Sequence, residues 1–311
     1  MTTLFRRQHL PELDGATTWL GSEPLTPAGL RGRVVLVDFW TLTCINWLRT
    51  EPYVRAWSQA YRDDGLVVIG VHTPEFAFEH EVDLVRRAIA ERGIEHPVAV
   101  DNGYRVWRAF DNHYWPALYL ADVEGVVRDT QFGEGRYQHV ERRLQDLLGV
   151  DRPLVADTVT GQGVEAAADW AHLRTPETYL GSERGERFDP AAGGSPEQLH
   201  PDSWTVAGRW TTEPEDVVLD GAGSSIAVRF AARDAHLVLS TAGAAPISFR
   251  VLLDGVAPGS SRGVDVDEQG NGVLAGGRLY SLVRQDGPVL ERTVSVTFAA
   301  PGARAHVLTF G

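Results

Sequence analysis

Residues 34–57 constrain the fold of this chain more than any other stretch. Residues 34–37 form an unbroken apolar run that is mostly β-branched, which is typical of a strand buried on both faces. Residues 40–43 turn the chain, and Cys44 then falls on the first turn of a predicted helix. A second buried-strand run, residues 66–71, follows that helix. The pattern therefore predicts a parallel βαβ unit with a right-handed crossover.

Cys44 is the residue in this stretch that can carry chemistry. It is the only cysteine among 311 residues, so one chain has no internal disulfide. A thiol on the first turn of a helix faces the positive end of the helix dipole and unpaired backbone N–H groups, which favour the thiolate. The sequence therefore predicts a reactive single thiol, and the alternative is a leftover thiol without a redox role.

The residues around Cys44 resemble the thioredoxin fold. The pattern D-F-W-x-x-x-C ends at Cys44, and Pro52 follows eight residues later inside the predicted helix. The wider sequence of residues 37–57 resembles the DipZ/TlpA-like branch of thiol–disulfide oxidoreductases, whose members carry C-x-x-C. Here Trp47 stands at the second cysteine position. The resemblance implies an α/β thioredoxin-like domain with a central mixed sheet and flanking helices.

The resemblance also implies three catalytic residues, Cys44, Asp38 and Pro116. In the family, the first cysteine attacks a disulfide and the second resolves the mixed disulfide. Because Trp47 cannot resolve it, Cys44 is limited to monothiol chemistry with a thiol or disulfide protein, or with a small thiol. Asp38 corresponds to a buried carboxylate that accepts a proton during resolution; without a resolving thiol that role has no object, and the alternative is a polar core residue whose hydrogen bonds are satisfied. Pro116 corresponds to a cis proline facing the cysteine, and the backbone of Trp115 would bind an extended peptide.

Several residues near Cys44 are candidates for binding. Thr41 and Thr43 carry hydroxyls that can donate to the thiolate. The spacing T-x-x-C also occurs in peroxiredoxins, although the proline that those enzymes place earlier is absent, so a one-cysteine thiol peroxidase is an alternative. His72 is a further rim candidate, with a surface or capping role as the alternative. The full set of candidate binding residues is Trp40, Thr41, Thr43, Asn46, Trp47, Trp115 and Glu75.

The remainder of the chain predicts a second domain of a different class. Residues 151–200 are rich in Gly, Ala, Pro and charge, and predict a linker with one short helix at about residues 164–173. From residue 201, about eight short strands without a long helix, the first at residues 204–210, predict an all-β sandwich of the jelly-roll type. Alternating apolar residues in two of these strands are predicted to face inward: Ile226, Val228, Phe230, Val294, Val296 and Phe298. This half resembles the carbohydrate-binding-module-like sandwich of DipZ-type proteins. The predicted domains are residues 1–150, 151–200 and 201–311.

Ligand sites in the second domain are weakly marked. Trp204, Trp210 and Tyr280 could stack on the rings of a glycan, and the alternative is that they fill the core of the sandwich. Residues 265–272 look like a calcium loop but lack the terminal glutamate of an EF-hand, which favours a polar hairpin turn. We therefore predict no metal and no cofactor, and a glycan only as a second partner.

Charge and hydropathy exclude some partners. The net charge of −13 opposes binding to nucleic acid or to an anionic membrane. The longest apolar runs fall short of the ~20 residues that a membrane span needs. The opening residues hold two arginines without an apolar core, so no secretory signal is expected. We expect a cytoplasmic protein, or an extracytoplasmic one if the chain is a piece of a membrane-linked relative, and a non-catalytic peptide- or glycan-binding protein is the alternative to an enzyme.

Overall fold

The structure is a computed structural model that describes residues 9–241, 243 and 245–311. The chain divides between Glu165 and Ala166 into two units. The predicted linker, residues 151–200, is therefore shared between the units. Residues 1–8, which belong to the predicted first domain and to the stretch examined for a secretory signal, lie outside the described residues.

The first unit alternates strands and helices around one sheet. Its elements are β1 (Thr18–Leu20), β2 (Val34–Trp40), α1 (Ile45–Ala60), β3 (Leu66–His72), α2 (Val82–Arg92), β4 (Val98–Val100), α3 (Arg105–Ala109), β5 (Ala117–Ala121), β6 (Val127–Phe132) and α4 (Tyr137–Leu148). The sheet order is β1-β4-β3-β2-β5-β6. β3 runs parallel to β2 and β4, whereas β1, β5 and β6 pair antiparallel. The predicted parallel βαβ unit is therefore confirmed, within a thioredoxin-like fold.

β2 is the centre of this unit because all seven of its residues are buried. Successive side chains of a strand point to opposite faces, and here they enter two separate cores. Val35 and Phe39 pack on one face with α3 and with residues 10–30, the entry segment that precedes β2. Val34 and Leu36 pack with α1 and α4 on the other face. Asp38 and Trp40 share the register of the second group, which places them on the side of α1.

The entry segment also adds a strand to the sheet. It holds β1, which pairs with β4 at the edge of the sheet. Leu20 is buried, and Trp19 packs against the core on the α3 side.

Helix α2 ends at Gly93 in the left-handed conformation, φ 64°, which glycine commonly adopts at the end of a helix.

The second unit consists almost wholly of antiparallel strands. They are β7 (Thr178–Tyr179), β8 (Trp204–Ala207), β9 (Trp210–Thr212), β10 (Val217–Leu219), β11 (Ser225–Ala231), β12 (Asp234–Thr241), β13 (Ile247–Leu253), β14 (Asn271–Leu274), β15 (Arg278–Arg284), β16 (Glu291–Phe298) and β17 (Ala303–Phe310). One sheet has the order β15-β12-β17-β10-β9 with β7 on β17, and the other has β14-β13-β16-β11-β8. Both sheets contribute to one core, which includes the predicted inward residues of β11 and β16: Ile226, Val228, Phe230, Val294, Val296 and Phe298.

Two predicted elements of this half are wrong. Residues 164–173, all described, form no α-helix, and a short 3₁₀ turn, Gly163–Glu165, stands at the start of that stretch instead. The strand predicted for residues 204–210 is two strands, because Gly208 turns the chain at φ 86°. A Cβ at Gly208 would lie 2.6 Å from the Ser224 hydroxyl, so the turn needs glycine for space as well as for conformation.

No helix among the described residues is both long enough and apolar enough to cross a membrane.

Residues 265–272, which look like a calcium loop in the sequence, form a turn. The Asp267 carboxylate accepts hydrogen bonds from the backbone N–H groups of Gln269 and Asn271, and Asp265 pairs with Arg278.

Candidate functional site

Cys44 lies where β2 ends and α1 begins. It is the residue that precedes the helix, one position before the predicted first turn, and its carbonyl accepts from the Leu48 N–H at 2.9 Å. The side chain is half-buried. Its Sγ lies 3.6 Å from the carbonyl oxygen of Trp115. The Trp115–Pro116 peptide bond is cis, so the fold brings Cys44 and the predicted proline segment together across 71 residues of sequence.

Trp47 is part of the interior. Its ring stacks on Trp40 with centroids 4.3 Å apart and planes 15° apart. The indole Nε1 donates to Asp38 Oδ2 at 3.1 Å, and the Arg92 guanidinium lies over the ring at 5.5 Å. Both tryptophans are about 1% exposed. The structure thus places Trp40 and Trp47, expected beside a ligand, in the core between β2 and α1.

Asp38 is a buried carboxyl with one hydrogen bond. Burial raises the pKa of Asp38 from 3.8 to about 7. The hydrogen bond from the Trp47 indole lowers this pKa, and the charge of Glu51 raises it, but both effects are smaller than that of burial. Oδ1 has no hydrogen-bond partner within the described part of the chain. Because this pKa is near neutral, Asp38 can take up or release a proton under ordinary conditions.

Glu79 is a residue of this region that the sequence reasoning missed. Its Oε1 accepts from the Thr43 hydroxyl at 2.7 Å and from the Thr43 N–H at 3.2 Å. Its Oε2 accepts from the N–H groups of Glu75, at 2.6 Å, and Phe76, at 3.0 Å. Burial raises the pKa of Glu79 to about 7. The signal in the sequence was a carboxylate that follows two phenylalanines, Phe76 and Phe78, which suggests a buried position.

The remaining predicted residues divide between surface and interior. Asn46 and Glu75 are half-buried, and Thr41 is buried with its carbonyl accepting from the Cys44 N–H. His72 is fully buried, so it is not a rim residue. Burial lowers the pKa of His72 to about 3, which keeps its imidazole neutral.

An apolar surface lies beside the Trp115–Pro116 segment. Tyr114 is 54% exposed and Phe132 is 47% exposed, and their ring centroids are 5.1 Å apart. Phe132 pairs with Ala117, the residue after Pro116. The Trp115 ring packs on Trp107 at 4.3 Å, which leaves the Trp115 backbone turned toward Cys44.

In the second unit, two of the three aromatic candidates are core residues. Trp204 and Tyr280 are buried, whereas Trp210 is 37% exposed and lies 5.7 Å from the half-exposed Phe188. A surface groove beside Trp210 is lined by Gly208, Arg209, Thr211 and Asp220.

The described residues, 9–241, 243 and 245–311, contain no group of three or more histidine, cysteine, aspartate or glutamate side chains that could hold a metal ion.

Comparison with known proteins gives matches to both halves. A family described as "Thioredoxin like C-terminal domain" matches residues 175–311. Protein DipZ of Mycobacterium tuberculosis is 39% identical over 251 residues, which covers 75% of this chain and 35% of that protein. Thiol-disulfide oxidoreductase YkuV of Bacillus subtilis is 30% identical over 142 residues, which covers 46% of this chain and 95% of that protein. Among solved structures, a thioredoxin-like protein in its oxidized form matches with TM-score 0.43 and 31% identity, covering 47% of this chain and 98% of that one. The chain spans about a third of the length of DipZ.

Proposed function

The chain belongs to the family of thioredoxin-like thiol–disulfide oxidoreductases, and from that premise we propose that it works by monothiol exchange at Cys44. The observation that carries this proposal is Trp47. The indole occupies the second cysteine position, is buried, and is bound to Asp38. Cys44 is the only cysteine of the chain, so a mixed disulfide formed on it has to be released by a thiol from outside.

The proposed exchange balances without a cofactor. The Cys44 thiolate attacks one sulfur of a partner disulfide, a Cys44–partner S–S bond forms, and the other partner sulfur leaves as a thiolate that takes up a proton. A second thiol, from a small molecule or a protein, then attacks the partner sulfur, forms a disulfide with it and releases Cys44 as a thiolate, which restores the reduced chain. Asp38, which has a pKa of about 7 and is bound to Trp47, three residues after Cys44, is proposed to serve as the proton acceptor and donor.

A protein partner is proposed to bind along the cis Trp115–Pro116 segment. The backbone of this segment lies within 3.6 Å of the Cys44 sulfur, close enough for an extended peptide on it to present a sulfur to Cys44. The exposed rings of Tyr114 and Phe132 favour apolar side chains next to the partner cysteine. The backbone position of Pro116 and the ring surface are thus the proposed binding elements, with Asn46 and Glu75 at the rim.

Intact-mass spectrometry tests the exchange directly. The reduced chain is incubated with glutathione disulfide, and one glutathione adduct per chain is expected, removable by added thiol. Cys44→Ser is the variant that should form no adduct, and Thr160→Ser, a change at an exposed residue outside the site, is a control that keeps the thiol. A chain that stays unmodified while fully folded would contradict the proposal. Incubation with hydrogen peroxide in the same assay distinguishes the alternative: catalytic peroxide consumption through a sulfenic acid would favour the thiol peroxidase.

We propose glycan binding as a second function, for the second unit alone. The supporting observation is Trp210, a partly exposed ring beside the polar groups of Thr211, Asp220 and Arg209. A sugar can stack on such a ring while neighbouring polar groups bind its hydroxyls. This reading assumes the carbohydrate-binding-module-like jelly roll predicted from the sequence. Titration of the whole chain with a glycan panel tests it, with Trp210→Ala as the loss variant and the 61%-exposed Trp170→Ala as the control. Binding unchanged in Trp210→Ala would contradict it.

We propose that the chain works in the cytoplasm. A reducing compartment would supply the external thiol that the exchange needs. Fractionation of cells that produce the chain tests this location, and recovery outside the cytoplasm would contradict it.

A further inference from the structure

Glu79 connects two loops that meet next to the reacting sulfur. One loop is residues 41–44, between β2 and α1, and the other is residues 73–76, after β3. The carboxylate accepts two hydrogen bonds from Thr43 and two from backbone N–H groups of the second loop, those of Glu75 and Phe76. Thr43 immediately precedes Cys44, so the carboxylate binds the chain one residue from the sulfur.

We infer that Glu79 is a positioning residue for Cys44, acting through Thr43. The position of the sulfur depends on where the chain enters α1, because Cys44 is the last residue before the helix. Two hydrogen bonds to one oxygen of Glu79 fix the backbone and the side chain of Thr43 together. The other oxygen accepts from the loop that follows β3, a strand paired with β2, so the carboxylate connects Thr43 to the end of a central strand. Without it, the sulfur would sample positions away from the helix N–H groups and from the Trp115 carbonyl.

The geometry supports this role over a purely local one. Glu79 is fully buried and its two oxygens accept four hydrogen bonds, which is near the capacity of a carboxylate. It also closes its own 3₁₀ turn (Ala77–His80) by accepting from the Phe76 N–H. That turn alone would use one oxygen and leaves the two bonds to Thr43, 36 residues away, unexplained. The like charge of Glu75 is the titratable neighbour on the same loop, and it opposes ionisation of Glu79.

The single cysteine makes a direct test possible, because every alkylation event reports on Cys44. The rate constant for iodoacetamide is measured at about pH 8.5, where Glu79, with its pKa near 7, is ionised. Thr43→Val removes the hydroxyl donor and keeps the shape. Thr43→Ser keeps the donor. Glu79→Gln offers one acceptor oxygen instead of two, and Glu81→Gln, an exposed glutamate two residues away, is the matched control.

We expect Thr43→Val to lower the alkylation rate by about threefold or more, and Thr43→Ser to restore it to within about twofold. In the Glu79→Gln background, Thr43→Val should have a smaller effect than in the wild type, because a neutral amide oxygen accepts more weakly from the Thr43 hydroxyl than the carboxylate does. Additive effects of the two changes, or equal rates for Thr43→Val and Thr43→Ser, would overturn the inference. So would a Glu81→Gln effect as large as that of Glu79→Gln.

Hydrogen exchange keeps the inference testable if Glu79→Gln is poorly folded. The amides of residues 41–48 should exchange faster in Thr43→Val than in Thr43→Ser, with exchange in the second unit unchanged. The inference rests on the proposed function only in taking Cys44 as the reacting atom. If no glutathione adduct forms but Thr43→Val and Glu79→Gln have non-additive effects on the alkylation rate, the proposed function fails and the inference stands. If the adduct forms and the two effects are additive, the proposed function stands and the inference fails.

Discussion

Replacing Trp47 by phenylalanine would isolate the hydrogen bond that this residue donates to Asp38. A phenyl ring keeps much of the 4.3 Å stack on Trp40 but has no N–H for Oδ2, which is 3.1 Å from the indole nitrogen. The second oxygen, Oδ1, has no partner in the described part of the chain. The variant would therefore leave the buried carboxyl without a hydrogen bond, and we expect it to be less stable than the wild type.

The size of this loss should depend on pH. Burial raises the pKa of Asp38 from 3.8 to about 7. Since the folded pKa lies above the unfolded one, the stability contributed by this carboxyl is full below about pH 3.8 and is lost as the pH rises through about 7. The hydrogen bond from the Trp47 indole reduces this loss of stability. It stabilises the folded chain by about 1 kcal/mol near pH 5, where Asp38 is neutral, and by about 1.5–3 kcal/mol near pH 8.5, where Asp38 is a carboxylate.

Urea unfolding at the two pH values measures this difference. The free energy lost in Trp47→Phe should be larger near pH 8.5 than near pH 5 by about 0.5–2 kcal/mol. Hydrogen exchange of residues 34–57 assigns the transition to the first unit. The control is the same substitution in an Asp38→Asn background, where the loss should no longer depend on pH. A loss that is equal at both pH values, or larger at the lower one, would refute the reasoning.

Three further substitutions or assays test the site and the second unit. Trp47→Cys should form an internal disulfide with Cys44 on oxidation, because the two positions lie one helical turn apart, and thiol titration checks this. The same change should lower the free energy of unfolding by about 3–5 kcal/mol through the cavity left by the indole, which urea unfolding measures. The wild-type chain should not sustain reduction of insulin disulfides by a dithiol cycle, since no second thiol exists; turnover typical of thioredoxins would contradict this. Trp204→Ala should cost about 3–5 kcal/mol in urea unfolding because the residue is buried and donates to the Glu186 carbonyl, whereas the partly exposed Trp210→Ala should cost less than about 1.5 kcal/mol.

The centre of the first unit could be predicted because its strands are long apolar runs. β2 and β3 are buried along almost their whole length, and such runs report burial without any partner being known. β1 and β14, of three and four residues, are too short to show a period, and they exist because β4 and β13 pair with them. Their formation depends on tertiary contacts rather than on local sequence.

The failed helix at residues 164–173 has a comparable cause. Alanine-rich sequence favours a helix there, but local polar contacts compete with it. Asp169 accepts at its carbonyl from the N–H groups of His172 and Leu173, and its carboxylate pairs with the His172 ring at 2.8 Å. These bonds close a turn. Propensity summed along the segment could not anticipate them.

The candidate site could be predicted where its residues occupy positions of a local motif. Cys44 and Pro116 come from such positions, and the fold places the Trp115 carbonyl beside the sulfur. Glu79 could not be found this way, because its partner Thr43 is 36 residues distant. The direction of the Trp47 side chain was equally hidden, since a tryptophan beside a reactive cysteine suggests a binding surface as readily as a core.

The core position of Trp47 determines what a thiol at position 47 would do to the fold. The indole fills the space between Trp40 and α1 and supplies the only hydrogen bond that the structure gives to the Asp38 carboxyl in its described residues. A cysteine there is smaller and a weaker donor, so it would leave both a cavity and a less well-bonded carboxyl. A second thiol at position 47 would therefore also remove part of the support of the first unit. We expect Trp47→Cys to form a disulfide with Cys44 only at a cost in stability, because the position that could carry a second thiol is also a core position.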